Sequence, residues 1–232
     1  MARVLMVVTG ADALTLTDGS AHPTGFWAEE LVELHRGLVE AGHRVDVATP
    51  GGRRPPVDPA SLDTASEAGR AHAAYLASID ADLEAPLALA DVADGEYDAI
   101  VMPGGHGPMV DLAVDEDLRR LLLDAVDRDV TLGVLCHGPA GLLAAVRPDG
   151  TFAFAGRRMT VFTDEEERAG GLGETVPYLV ESRLRELGAV VEAGTPWSST
   201  VVVDGSLVTG QNPQSSAATA RRIVERLGEI AV

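Results

Sequence analysis

Lysine is missing from this chain of 232 residues, and all eighteen basic side chains are arginine. Chemistry that needs a lysine amine is thereby excluded: Schiff-base catalysis, pyridoxal phosphate attachment and the phosphate-binding lysine of a P-loop. Cysteine occurs once, at Cys136, so no internal disulfide can form and the composition suits a reducing cytoplasm. Apolar runs long enough to cross a membrane, about eighteen residues, are absent. The stretch Met1 to Thr9 is too short for a secretion signal with a cleavage site and reads as a first core strand. Positive charge is scarce, with 18 basic against 36 acidic residues and a net charge of -18. Such a surface repels nucleic acid and anionic membranes, so neither is expected as a partner. The histidines at 22, 35, 43, 72, 106 and 137 have no paired metal-ligand spacing, so no metal or other cofactor is expected.

What is present describes an alternating α/β chain. Val4 to Val8, Arg44 to Ala48, Asp98 to Met102 and Thr131 to Leu135 are short, largely apolar runs that read as buried parallel strands. Helical patterns cover Gly25 to Ala41, Asp115 to Val126, Pro139 to Ala145, Val176 to Leu187 and Pro213 to Leu227, the last with Asn212 as its N-cap. Late strands are expected at Ala189 to Val191 and Thr200 to Val203, with Asp204-Gly205 turning the chain into Leu207-Val208. Pro50 to Pro59 reads as a surface loop, and a mostly helical insertion lies around residues 60–92. No linker or repeat divides the chain, which predicts a single domain over 1–232.

Cys136 lies in Gly133-Val134-Leu135-Cys136-His137-Gly138, where a strand passes sharply into a helix opened by Pro139. That turn lifts the sulfur above the sheet beside a histidine and aims the following N–H groups at an oxyanion. The plain alternative is a small buried cysteine filling a strand end. Pro103-Gly104-Gly105-His106-Gly107 ends another strand, where ligands bind in open sheets, and Gly105 is a candidate second oxyanion donor. Glu30 falls about 60° from the centre of the apolar stripe Trp27, Leu31, Leu34, Leu38 and Ala41. It is either a partly desolvated acid-base group or part of a solvated face. Asp164 to Glu167 read as a solvated helix start, one of whose acids could orient His137.

Taken together, Thr24 to Leu31, Pro55 to Pro59, Pro103 to Gly107, Cys136 to Pro139, Phe162 to Glu166 and Thr209 to Pro213 resemble the ThiJ/PfpI superfamily, and within it the heat-shock chaperone and glyoxalase III branch. The resemblance runs from about residue 3 to residue 228 with motif order intact. It implies a flavodoxin-like three-layer α/β sandwich of class I glutamine amidotransferase type, with a mostly parallel central sheet. It places the family's nucleophile on Cys136, its adjacent histidine on His137, its helix-borne glutamate on Glu30 and its oxyanion donors on Gly105 and the His137 backbone. The acidic member of the relay falls on Glu167, with Asp164 close enough to compete.

The activity implied is cofactor-independent conversion of methylglyoxal, a small aldehyde, to lactate (the D-lactate dehydratase type), with deglycase or chaperone activity alongside. A homodimer is likewise inherited. Two other readings stand beside it. One is an amidase or peptidase using the same thiol, although no histidine follows His137 to supply a glutamine amidotransferase His-x-Glu pair. The other is a redox-responsive chaperone in which Cys136 is oxidised without turnover.

Overall fold

The computed structural model describes residues 1–230. Residues 231 and 232, the end of the expected domain, lie outside the described residues. In chain order the elements are β1 (Arg3–Val7), the hairpin β2 (Ala13–Thr15) and β3 (Ala21–Pro23), α1 (Ala28–Glu40), β4 (Arg44–Thr49), α2 (Glu67–Ser78), α3 (Asp80–Glu84), β5 (Leu87–Ala88) and β6 (Ala99–Met102). There follow α4 (Glu116–Asp127), β7 (Thr131–Leu135), β8 (Arg158–Met159), α5 (Asp164–Ala169), α6 (Val180–Glu186), β9 (Val190–Val191), β10 (Val201–Asp204), β11 (Leu207–Gly210) and α7 (Ser216–Ile230).

Seven strands form the central sheet in the order β10-β11-β7-β6-β1-β4-β5, parallel throughout except for the β10–β11 hairpin. Alternation along each strand decides which layer a side chain joins. Val4, Met6 and Val101 face α1 and α7, where they meet Leu31, Leu34, Leu38 and Ile223. Leu5, Val7, Ile100 and Met102 face the opposite layer and meet Leu118, Leu121 and Leu122 of α4. Each such leucine, fully withdrawn from water, contributes about 1.5–3 kcal/mol, so both faces must be covered for the sheet to persist. The expected flavodoxin-like three-layer sandwich is the architecture found.

Several boundaries differ for local reasons. Helix α1 starts at Ala28 rather than Gly25, because Phe26 is extended and pairs with the Pro55–Pro59 region, its N–H on Pro56 O at 2.9 Å and its carbonyl receiving Asp58 N–H at 2.9 Å. The expected helix after Cys136 is a buried 3-10 stretch, Gly138–Ala144. The Val176 to Leu187 helix begins only at Val180. Asn212 does not cap through its side chain; the following residues make a 3-10 turn before α7, and the Asn212 amide goes to Glu166 instead.

The chain order reverses about β1, which has β4 on one side and β6 on the other. The crevice beyond the carboxyl ends of β1 and β6 is where such a sheet places its ligands, and β7 borders it on the far side of β6.

Candidate active site

Cys136 follows β7 directly with φ 59°, a left-handed conformation that costs a side chain about 1–3 kcal/mol. Backbone bonds on both sides hold it there: its N–H donates to Gly210 O (2.9 Å) and its carbonyl accepts from Phe162 N–H (3.0 Å). The residue is 3% exposed. The Gly105 and His137 backbone N–H groups both point at it, so the two expected oxyanion donors converge on the thiol. Gly105 has φ +88°, and a Cβ there would lie 2.3 Å from Gly25 O; only glycine brings that N–H so close.

Glu30, in the first turn of α1, is completely buried, which removes the solvated-face alternative. Its Oε2 accepts the Gly104 N–H at 2.6 Å. The carboxyl faces the Cys136 thiol, yet Oε1 has no partner in ordinary hydrogen-bond geometry. Burial pushes Glu30 up to about 8, against the opposing bonds from Cys136 and Gly104. Burial and the neighbouring Glu30 likewise push the Cys136 thiol up. The pair therefore carries at most one negative charge, and at neutral pH Glu30 keeps its proton.

His137 Nδ1 lies 3.4 Å from the sulfur, and its Nε2–H donates to Glu167 Oε2 at 2.6 Å. It is Glu167 that meets His137; Asp164 turns away and accepts from the Ser182 hydroxyl and N–H. Burial works to raise Glu167, but His137 and His106 outweigh it and hold the carboxyl well below its usual range. Burial, followed by the neighbouring His106, lowers His137, while Glu167 opposes them. An ionised carboxylate only accepts, so Nε2 of His137 carries hydrogen and Nδ1 of the neutral ring is a bare acceptor facing the thiol.

Two further groups were not foreseen from sequence. His106 Nε2 reaches the other oxygen, Glu167 Oε1, at 3.0 Å, and its ring lies 4.2 Å from that of His137. The donor atoms of His106, His137 and Glu167 fall within 4.8 Å of one another, so among the described residues these three could hold a divalent metal; in the described arrangement they satisfy each other by hydrogen bonds. Glu166 anchors the neighbourhood. It accepts from Thr163 N–H (3.0 Å) and hydroxyl (2.9 Å), Trp197 N–H (2.8 Å) and Asn212 Nδ2 (2.7 Å), joining α5 to the Trp197 loop and the β11–α7 turn. Trp197, half-exposed, packs edge-on against Phe162.

With this arrangement in view, comparison places the chain in the DJ-1/PfpI family, whose profile matches residues 22–226. Among curated relatives, the protein/nucleic acid deglycase HchA of Pseudomonas aeruginosa is 30% identical over 230 residues, covering 92% of this chain and 77% of that protein. HchA of Staphylococcus aureus is 31% identical, covering 99% and 78%. Among solved structures, the Rapid Encystment Protein of Francisella tularensis superposes with a TM-score of 0.88 at 30% identity, over 98% of this chain and 99% of that one. Glyoxalase III of Candida albicans superposes with a TM-score of 0.78 at 23% identity, over 97% and 96%, and at that distance bears on the fold alone. The HchA relatives are named for protein and nucleic acid substrates, so their names do not support the expectation, drawn from charge, of a small aldehyde and no nucleic acid. Among the described residues no helix is long and apolar enough to cross a membrane.

Proposed function

We propose that this chain is a glutathione-independent glyoxalase that converts methylglyoxal and related 2-oxoaldehydes to 2-hydroxy acids through a hemithioacetal on Cys136. Removal of the same aldehyde from protein adducts is a companion activity, supported by the deglycase names of the HchA relatives. The observation that carries the reading is Glu30: a buried carboxyl that keeps its proton to about pH 8, beside a thiol, with one oxygen unpartnered. Such a group serves as acid and base in turn near neutrality.

The thiol proton passes to His137 Nδ1 as the sulfur attacks the aldehyde carbon, and Glu30 protonates the new oxyanion within reach of the Gly105 and His137 N–H groups. Glu30, now a carboxylate, removes the hydrogen from C1, and His137 returns its proton to the C2 oxygen to give an enediol. Glu30 then protonates C2 while His137 takes the C1 hydroxyl proton, leaving a thioester. Water cleaves the thioester, giving one proton to Glu30 as His137 protonates the departing sulfur. The net change adds one water to the oxoaldehyde and returns every side chain to its starting state.

A homodimer, a cytoplasmic setting and a single domain belong to the same proposal and rest on the family resemblance and the composition. The test is lactate formation from methylglyoxal without glutathione, for wild type, Cys136→Ala and Glu30→Gln. Loss in both variants is expected; equal rates in all three would overturn the reading.

A further inference from the structure

We propose that His106 is a positioning residue of the thiol relay, setting through Glu167 the tautomer of His137. The inference rests on the glyoxalase reading for its kinetic readout but not for its spectroscopic one.

The geometry comes from three separate elements. His106 sits in the turn after β6, His137 in the turn after β7, and Glu167 in the first turn of α5. The turn carrying His106 is fixed by the bond from Met109 N–H to His106 O (3.1 Å). The ring is confined between His22 of the β2–β3 hairpin, edge-on at 5.6 Å, and His137 at 4.2 Å. From there its Nε2 reaches Glu167 Oε1 while His137 Nε2 takes Oε2, so one carboxylate is gripped at both oxygens and cannot turn without breaking a bond. That grip keeps hydrogen on His137 Nε2 and leaves Nδ1 bare toward the sulfur. A carboxylate free to rotate would release the ring to the other tautomer, which presents N–H to the thiol and cannot accept its proton.

The test compares His106→Ala and His106→Gln with wild type by kinetics and by NMR of protein labelled with heavy nitrogen in histidine. In wild type the His137 signals should be those of the Nε2-protonated tautomer. In His106→Ala a share of the other tautomer is expected, kcat falling about 10- to 100-fold with KM nearly unchanged. In His106→Gln the amide N–H re-engages Glu167, which should restore the tautomer and bring kcat to within about threefold of wild type. An unmoved tautomer in His106→Ala would overturn the proposal. If that variant fails to fold, His106→Phe, which keeps a ring between His22 and His137 but has no N–H for Glu167, decides, an unmoved tautomer counting against the proposal. A wild type that makes no lactate would sink the glyoxalase reading while leaving the NMR test intact.

Discussion

Glu30→Gln should make the protein less active and more stable at once, and the two effects have one origin. In the folded state the Glu30 carboxyl titrates at about 8 rather than its ordinary 4.5, because burial disfavours its charge. A folded value raised above the unfolded one means stability that is fully present below about pH 4.5 and is lost as pH rises toward 8. That gap corresponds to up to about 5 kcal/mol once pH exceeds both values. Glutamine has no charge to desolvate and its carbonyl can still accept the Gly104 N–H. Urea unfolding should therefore give equal stabilities for wild type and variant near pH 4.5 and a variant more stable by several kcal/mol at pH 8.5. Turnover should fall about 10²- to 10⁴-fold, since an amide cannot carry the proton between C1 and C2. The thiol should move the opposite way. A thiolate is disfavoured beside the ionised Glu30 carboxylate, so removing the carboxylate should lower the midpoint for iodoacetamide alkylation of Cys136 by about one pH unit or more. Equal stability at both pH values, or an alkylation midpoint that rises, would refute the reasoning.

Other outcomes follow from the same geometry. Glu167→Gln removes the charge that supports protonated His137, so the acid limb of kcat/KM should move to lower pH with kcat reduced about tenfold or more, whereas Asp164→Asn should leave both within twofold. Because the folded Glu167 value lies below its ordinary range, its stabilisation is present above about pH 4.5 and is lost on acidification; the fall in wild-type stability below that pH should be flatter in Glu167→Gln. Thr163→Ala removes the hydroxyl of the α5 capping box and should cost about 1–2 kcal/mol in denaturant titration. The wild-type profile of kcat/KM should be bell-shaped, its basic limb near 8 disappearing in any residual activity of Glu30→Gln.

How far these features could be read from sequence follows from how local each one is. The Cys136 turn was legible because strand, nucleophile and helix-opening proline lie within a few residues, and the central sheet because Val4 to Val8 and its counterparts are continuous apolar runs. Glu30 was ambiguous on the helical wheel, since what buries it is the Gly104 turn, 74 positions away, folding over the start of α1. His106 reaches Glu167 across 61 positions, a pairing that periodicity cannot reveal. The acids 164 to 167 misled by composition: Glu165 is exposed, while Glu166 and Glu167 are buried. The Thr163-x-x-Glu166 spacing was the overlooked signal, because a capping box turns one acid inward onto the backbone. The 3-10 geometry after Cys136 was beyond reach of a helical pattern, since its residues are buried on nearly every side.

The claim at the centre is that the buried thiol of Cys136 forms the covalent bond to substrate. Wild-type protein quenched during turnover of methylglyoxal and mapped by peptide mass spectrometry should carry an adduct with the mass of one methylglyoxal on the peptide containing Cys136, and Cys136→Ala should carry none and make no lactate. Lactate formation by Cys136→Ala at the wild-type rate would contradict the account.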